Sequence, residues 1–194
     1  MMRSVLVLAL VSALTCAAGP ATATGEIVSL ITQDDRQRLD DFEETRARAI
    51  AVARARGAPG DIAELNEILA GEPVAIAGND LTGNWQCRVT KLNGPVELVI
   101  YSWFRCRISD DGSGWRLEKL TGSQRVTGRF FDDGDKRMIF LGAGHYSYEE
   151  PLSYPQNSER DEVAYAFLLD DGRLRLEFPA PHLESRFDIL ELKR

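Results

Sequence analysis

The sequence is poor in the side chains that most often build metal and catalytic sites. It has two histidines, His145 and His182, and three cysteines. It contains no H-E-x-x-H motif, no C-x-x-C motif and no G-x-S-x-G elbow, so familiar signatures of zinc, dithiol and serine hydrolase sites are missing. His182, Glu184 and Ser185 stand close together in PHLESRF, which keeps hydrolysis open as an alternative. The sequence predicts no catalytic residue, no metal ligand and no cofactor.

The sequence also has no excess of basic residues and, after residue 23, no long apolar run. Lysine and arginine number 23 against 30 acidic residues, which gives a net charge of −7. Nucleic-acid-binding domains are usually basic, so nucleic acid is not a predicted partner. After residue 23 no run is long and apolar enough to predict a transmembrane segment.

The first 23 residues have the features of a secretory signal peptide. Arg3 is followed by the apolar run SVLVLALVSALTCAA and then by ATA, a small-x-small sequence typical of a cleavage site. Cys16 lies within this segment, but the preceding residues do not match a lipoprotein signal. We therefore expect residues 1–23 to be removed and the protein to be periplasmic or secreted.

The remaining two cysteines, Cys87 and Cys106, are predicted to form one disulfide. An even pair in an oxidising compartment is most simply explained in this way. The alternative is a reactive thiol, but neither cysteine begins a predicted helix, where the dipole would lower its pKa. In the chain-entropy model a loop of this length contributes about 3 kcal/mol to stability.

Residues 24–80 are predicted to form a helical hairpin followed by a linker. Thr32 and Asp35 have the spacing of a helix N-terminus, and Gly57, Pro59 and Gly60 interrupt the helical pattern before Asp61 begins a second helix. Each helix has one apolar face, formed by Leu39, Phe42, Ala49, Ile50 and Ala53 in the first and by Ile62, Leu65, Ile68 and Leu69 in the second. We expect both faces to pack on the rest of the domain, although a partner protein is an alternative.

From residue 81 to 194 the apolar period changes to two. Eight strand-like runs are predicted, at 82–92, 97–108, 114–121, 124–132, 136–142, 161–169, 173–178 and 186–192. Asp-Gly turns at 111–112, 133–134 and 171–172 favour hairpins, and no helix is predicted between strands. The predicted fold is mainly β with an N-terminal helical hairpin (α+β), its antiparallel eight-strand meander closed into a small barrel.

Alternation also predicts which residues face the interior of that barrel. The cysteines and Gly128 belong to the predicted inward faces. The large predicted inward residues are Trp85, Phe104, Trp115, Phe130, Phe140, Tyr165, Phe167 and Phe178. These side chains are enough to fill an eight-strand barrel.

Two resemblances support this architecture. TGNW at 82–85 resembles the G-x-W feature of lipocalin-like (calycin) barrels, with Gly83 and Trp85 matching, which implies that Trp85 plugs one end of the barrel. Motifs such as CRVTKLNG, WFRCRI, LEKLTGSQRVTGRFF and PHLESRFDILEL together resemble an uncharacterised family of exported proteins from Gram-negative proteobacteria, defined by a domain of unknown function. That resemblance implies export and a shared fold, and it implies no activity or site residue.

Arginines recur on the predicted outer face of the first four strands. They are Arg88, Arg105, Arg107, Arg116, Arg125 and Arg129. On an acidic chain this cluster predicts an envelope-associated interaction module whose partner is an anionic envelope component or another protein. The alternative is a solvated face on which these arginines pair with Glu118 and other acids.

The segment from Gly144 to Arg160 is long for a loop of a compact meander. It carries His145, Tyr146, Tyr148 and Tyr154, which are candidates for covering a barrel mouth. A loop of this kind favours a second hypothesis, a lipocalin-like carrier of a small apolar ligand. The alternative for this segment is a plain surface crossing.

Overall fold

The computed structural model describes residues 25–194, so the predicted signal peptide at 1–23 lies outside the described residues. The helices are α1 (Gly25–Leu30), α2 (Gln33–Asp40), α3 (Phe42–Arg56) and α4 (Pro59–Leu69). The strands are β1 (Gly83–Leu92), β2 (Leu98–Ile100), β3 (Phe104–Asp110), β4 (Trp115–Lys119), β5 (Gln124–Asp132), β6 (Met138–Tyr146), β7 (Asp161–Leu168), β8 (Leu174–Pro179) and β9 (Phe187–Lys193). Within residues 25–194 no helix is long and apolar enough to cross a membrane.

Eight antiparallel strands close into a barrel, as predicted, and one short strand is added to it. Neighbouring strands pair in the order β1-β3-β4-β5-β6-β7-β8-β9, and β9 pairs back to β1. The Asp-Gly corners of β3–β4, β5–β6 and β7–β8 have glycines with positive φ, at Gly112, Gly134 and Gly172. This is the turn chemistry that the sequence predicts.

The predicted strand at 97–108 is interrupted. Thr90 is opposite Ile100, whereas Cys87 is opposite Phe104. Two residues of β1, 88–89, therefore face three residues, 101–103, of the segment between β2 and β3. The extra residue is a bulge, which bends the strand and reverses which side chains face inward. Consequently Leu98 of β2 packs outside the barrel while Phe104 of β3 faces its core.

One end of the barrel is filled and closed around Trp85. The indole nitrogen of Trp85 donates a hydrogen bond to the carbonyl of Leu81 at 2.9 Å, and the guanidinium of Arg194 lies 4.7 Å from the ring centre. The predicted disulfide is confirmed beside it: Cys87 and Cys106 are bonded, with Cα atoms 5.8 Å apart. Buried aromatic and aliphatic side chains from every barrel strand occupy the middle of the interior.

The predicted orientation of β7 is wrong. Ala164 and Ala166 face the interior, whereas Tyr165 packs outside the barrel, 4.8 Å from the ring of Phe42 of α3. Phe167 also lies on the outer side, near Arg175. Helices cover the outer surface here, so both faces of β7 are apolar and alternation alone cannot identify the inner one.

The helices lie on the outer surface of the barrel and share a core with it. The predicted first helix is divided at Asp41, and the Thr32 hydroxyl accepts a hydrogen bond from the Asp35 amide at 3.2 Å, as the N-cap pattern predicts. The apolar faces of α3 and α4 pack against β1, β2 and β9 through Phe42, Ala49, Ile50, Ala53, Leu65, Ile68, Leu92, Leu98, Phe187 and Ile189. Arg175 of β8 donates to the last carbonyls of α4, which fixes that helix end.

Candidate ligand-binding site

The interior changes character at the end of the barrel opposite Trp85. The strands continue their alternation, but the inward positions now carry polar or ionisable side chains, namely Lys91, Lys119, Gln124, Glu162 and Asp188. These residues belong to β1, β4, β5, β7 and β9. They line a pocket of about 220 Å³ that opens at this end.

The pocket also has apolar walls, and a glycine at one inward position leaves part of it open. Val89, Phe104, Val126 and Phe178 line it from the core side. Gly144 of β6 lies at an inward position, and a Cβ built there would come no nearer than 3.8 Å to any other group. Because glycine leaves that volume empty, the pocket extends to the backbone of β6.

Lys119 forms the cationic wall on β4. Its side chain is buried, its Nζ donates to the backbone carbonyl of Gln124 at 2.6 Å, and it lies 4.0 Å from the ring centre of Phe104. No carboxylate forms an ion pair with Lys119 among residues 25–194. Burial, together with the charges of Arg125 and Lys91, lowers the pKa of this amine to about 8.

Lys91 lies beside this wall but has a charged partner. Its Nζ donates to Glu184 at 2.9 Å and to the side-chain oxygen of Gln124 at 3.2 Å. Burial alone would lower the pKa of Lys91, yet the pKa is raised because the hydrogen bond to Glu184 and the nearby Asp188 favour the charged form. Both ammonium groups therefore donate to Gln124, but within the described chain only that of Lys91 is also paired with a carboxylate.

Glu162 and Asp188 form an acidic wall across the barrel from Lys119. In the closed strand order, β4 is three strands away from both β7 and β9. The Oε2 of Glu162 has no hydrogen-bond partner within the described chain, and burial raises the pKa of this carboxyl to about 8. Asp188 accepts a hydrogen bond from Ser185 at 2.5 Å, and burial raises the pKa of Asp188 to about 6.

Arg38 of α2 supports the acidic wall from outside. Its guanidinium donates to Asp35 at 2.7 Å and to the carbonyls of Asp161 and Pro179, where β7 begins and β8 ends. Its Nη2 lies 3.7 Å from the Oε2 of Glu162. Sequence reasoning missed Arg38, because an arginine on the polar face of an amphipathic helix carries no signal that distinguishes it from a solvated one.

Two of the four predicted mouth residues line the pocket. Strand β6 extends through Tyr146, so the loop begins at residue 147 instead of 144, and His145 and Tyr146 are strand residues. Burial and the charge of Arg125 lower the pKa of His145. Tyr148 is 82% exposed and stacks on Tyr146 with ring centres 5.6 Å apart.

The fourth mouth candidate, Tyr154, does not line the pocket. Its hydroxyl donates to Asp35 at 2.6 Å and accepts from the backbone amide of Thr32 at 2.9 Å. Burial, with the hydrogen bond to Asp35, raises the pKa of Tyr154 to about 12. This residue therefore fastens the long loop to the start of α2.

The six arginines of the predicted outer face have different surroundings. Arg88 is covered by α4 and forms ion pairs with Glu64 and Glu191. Arg116 pairs with Glu118 at 3.1 Å, and Arg129 pairs with Asp111. Arg125 lines the pocket and donates to the carbonyl of Gly122 at 3.2 Å. Arg105 and Arg107 are exposed and form no ion pair with any residue in 25–194.

The residues of the hydrolase alternative are not brought together. The Ser185 hydroxyl donates to Asp188 and to the carbonyl of Leu183, whereas Nε2 of His182 lies 3.4 Å from Nη1 of Arg38. Asp34, Asp35 and His182 lie close enough to share a cation. However, Asp35 already accepts from Thr32, Arg38 and Tyr154, and the guanidinium beside His182 would repel a metal ion.

A second hollow, of about 350 Å³, lies at the Trp85 end. Arg173 pairs with Asp171 at 2.6 Å, Arg194 donates to the Asp80 carbonyl at 2.7 Å, and the ammonium of Lys193 lies 4.1 Å from the ring centre of Trp103. These charged groups are exposed or half-buried, so this hollow lacks the buried and unpaired groups that distinguish the first pocket.

Comparison with known proteins gives a family and no characterised relative. A family model described as a domain of unknown function, DUF4893, matches residues 28–192. No curated protein and no solved structure matches the chain.

Proposed function

This chain belongs to the DUF4893 family, which has no assigned activity, and from that premise we propose that it binds a small, partly apolar molecule in the pocket at the open end of its barrel. One observation carries the proposal. Inward positions that could hold apolar core residues instead hold Lys91, Lys119, Glu162 and Asp188 around an open volume of about 220 Å³.

Such an arrangement is costly for a purely structural barrel. Burying an ionisable group without a full set of partners destabilises the folded state, and strongly shifted pKa values cluster at functional sites. The Trp85 end of the same barrel shows the structural solution, a core of aromatic and aliphatic side chains. The contrast between the two ends supports a binding role for the open one.

The size and walls of the pocket limit the ligand. Pockets for drug-sized molecules usually exceed about 300 Å³, so a volume of about 220 Å³ suits a smaller metabolite. Phe104, Val126 and Phe178 offer apolar contact on one side of it. The ligand that fits has a short apolar part and at least one polar group.

The proposal includes an exported, periplasmic or secreted location in a Gram-negative bacterium, with the chain acting as a lipocalin-like carrier. The Cys87–Cys106 disulfide supports an oxidising compartment. The closure of one barrel end by Trp85, with a pocket at the other, is compatible with a carrier.

A second candidate function is an interaction with an anionic envelope component or another protein through the outer face of β3. Its support is that Arg105 and Arg107 are exposed and form no ion pair within residues 25–194. Arg88, Arg116 and Arg129 have acidic partners, which reduces the cluster available to such a partner.

Native mass spectrometry of the protein isolated from its own cells tests the proposed pocket function. We expect a bound small molecule in the wild type and no bound molecule in Gly144→Leu, whose new side chain fills the pocket. The matched control is Gly60→Leu, at an open site in α4, which should retain the molecule. Thermal unfolding checks that both variants are folded. The absence of a bound molecule from the wild type, or its retention in a folded Gly144→Leu variant, would contradict the proposal.

A further inference from the structure

We propose that the ligand of the open-end pocket is a small organic anion, a carboxylate with a short apolar chain, whose charged group binds the ammonium of Lys119. The inference rests on the proposed function and names the chemical class that this pocket selects. The observation behind it is that Lys119 has cations nearby and no carboxylate of the described residues paired with it.

Lys119 is a buried cation without an ionic partner. An ammonium group has three donors, and the described contacts of this one are the carbonyl of Gln124 at 2.6 Å and the ring of Phe104 at 4.0 Å. A charge taken out of water is normally paired, because the desolvation penalty is otherwise uncompensated. The side chain lines an open pocket, so a ligand can supply the missing counter-charge.

The neighbours of Lys119 strengthen its preference for an anion. Lys91 approaches the same Gln124 side chain, and Arg125 lies on the adjoining strand and lines the same pocket. Glu184 is already bound by Lys91 at 2.9 Å, while Glu162 and Asp188 lie across the barrel on β7 and β9. The β4 side of the pocket therefore carries more positive than negative charge.

The apolar wall beside Lys119 distinguishes an organic anion from an inorganic one. Phe104 lies directly against the ammonium, and Val89 and Val126 line the adjacent surface. A carboxylate with a short chain can pair with Lys119 and place its methylenes against these side chains. Free phosphate would gain the ion pair without the apolar contact.

Titration calorimetry with hexanoate, hexanol and inorganic phosphate tests this assignment, because the first two probes share a tail. We expect wild-type protein at pH 7 to bind hexanoate about tenfold or more tightly than hexanol, as a charge-assisted hydrogen bond implies, and phosphate more weakly than hexanoate. Lys119→Met should remove the preference for hexanoate and keep hexanol binding. Lys136→Met, at an exposed position, should behave as the wild type.

The pH dependence gives a readout that a purely structural role for Lys119 would not alter. Hexanoate affinity should fall about tenfold between pH 7 and pH 9, because Lys119 loses its proton over that range. Glu162 titrates there too and acts in the same direction, so the Glu162→Gln variant isolates the contribution of Lys119. The other cations facing Lys119 are Arg125 and Lys91, and Lys91 stays charged between pH 7 and pH 9 because its pKa is raised.

The outcomes distinguish failure of the anion assignment from failure of the proposed pocket function. Equal affinity for hexanol and hexanoate, or an unchanged preference in Lys119→Met, overturns the anion assignment and leaves the pocket function standing. Phosphate binding as tight as hexanoate overturns the organic part of the assignment. Failure of all three probes to bind, together with no bound molecule in native mass spectra, overturns both.

Discussion

Replacing Glu162 by glutamine should stabilise the folded chain and change how its stability depends on pH. The carboxyl Oε2 accepts no hydrogen bond from the described residues, and burial raises the pKa of Glu162 from 4.5 to about 8. Because the folded state favours the protonated carboxyl, this group makes the protein progressively less stable as pH rises from 4.5 towards 8. Glutamine stays uncharged at every pH and removes that loss.

The size of the effect follows from the interval between the two pKa values. At pH 7 the unfolded carboxyl is ionised and the folded one is protonated, which corresponds to a penalty of up to about 3 kcal/mol. Glu162→Gln should raise the free energy of unfolding by up to that amount at pH 7. At pH 5 the gain should be below about 1 kcal/mol, because little of the unfolded-state ionisation has occurred.

Urea unfolding at pH 5, 6, 7 and 8 measures the difference directly. Asp161 and Asp188 also have pKa values raised to about 6, and the part of their effect that does not depend on the charge of Glu162 cancels because both proteins share them. Glu159→Gln, at an exposed position, is the matched control and should leave stability unchanged. A gain that is equal at pH 5 and pH 7, or no gain at pH 7, would refute the reasoning about the acidic wall.

Three further predictions concern the scaffold around the pocket. The oxidised protein should have no free thiol at Cys87 or Cys106, and reduction should lower the free energy of unfolding by about 3 kcal/mol, measured in urea with and without reductant. Gly128→Ala should destabilise the barrel by about 2 kcal/mol in the same assay, because its Cβ would lie 2.5 Å from the Gly142 Cα of the paired strand and 2.5 Å from the Phe140 ring. Arg38→Met should lower stability by about 3 kcal/mol or more, because it leaves the buried carboxylate of Asp35 without its guanidinium.

Each of these predictions has a result that contradicts it. Two titratable thiols in the oxidised protein would rule out the disulfide. A Gly128→Ala variant as stable as the wild type would show that the backbone of β6 and the Phe140 ring both move aside freely. An Arg38→Met loss no greater than that of Arg48→Met, which breaks an exposed pair with Glu44, would show that burial of Arg38 matters little.

The barrel could be predicted from the sequence because its signals are local. Alternation around Trp85 and Cys87 and the Asp-Gly turns each depend on a few neighbouring residues, and the structure confirms the closed antiparallel barrel and the disulfide. The orientation of Tyr165 was beyond this reasoning. It depends on whether a helix covers the outer face of β7, which is a contact between residues far apart in sequence.

The candidate site could not be predicted for the same reason. Lys91, Lys119, Glu162 and Asp188 each look like an ordinary polar residue at a strand end, and only closure of the barrel brings them to one pocket. Two mouth candidates, His145 and Tyr146, line that pocket, although as strand residues instead of loop residues. The arginine pattern indicated an outer face, but it could not show that α4 covers Arg88.

The most direct test of the central claim is to map hexanoate binding on the oxidised protein by NMR chemical-shift perturbation. We predict shifts that cluster at Phe104, Lys119 and Gly144, with the Trp85 indole N–H at the closed end unchanged. Shifts confined to Arg105 and Arg107 on the outer face would contradict a ligand site at the open end of the barrel, and no shifts at all would contradict the binding of a small organic anion there.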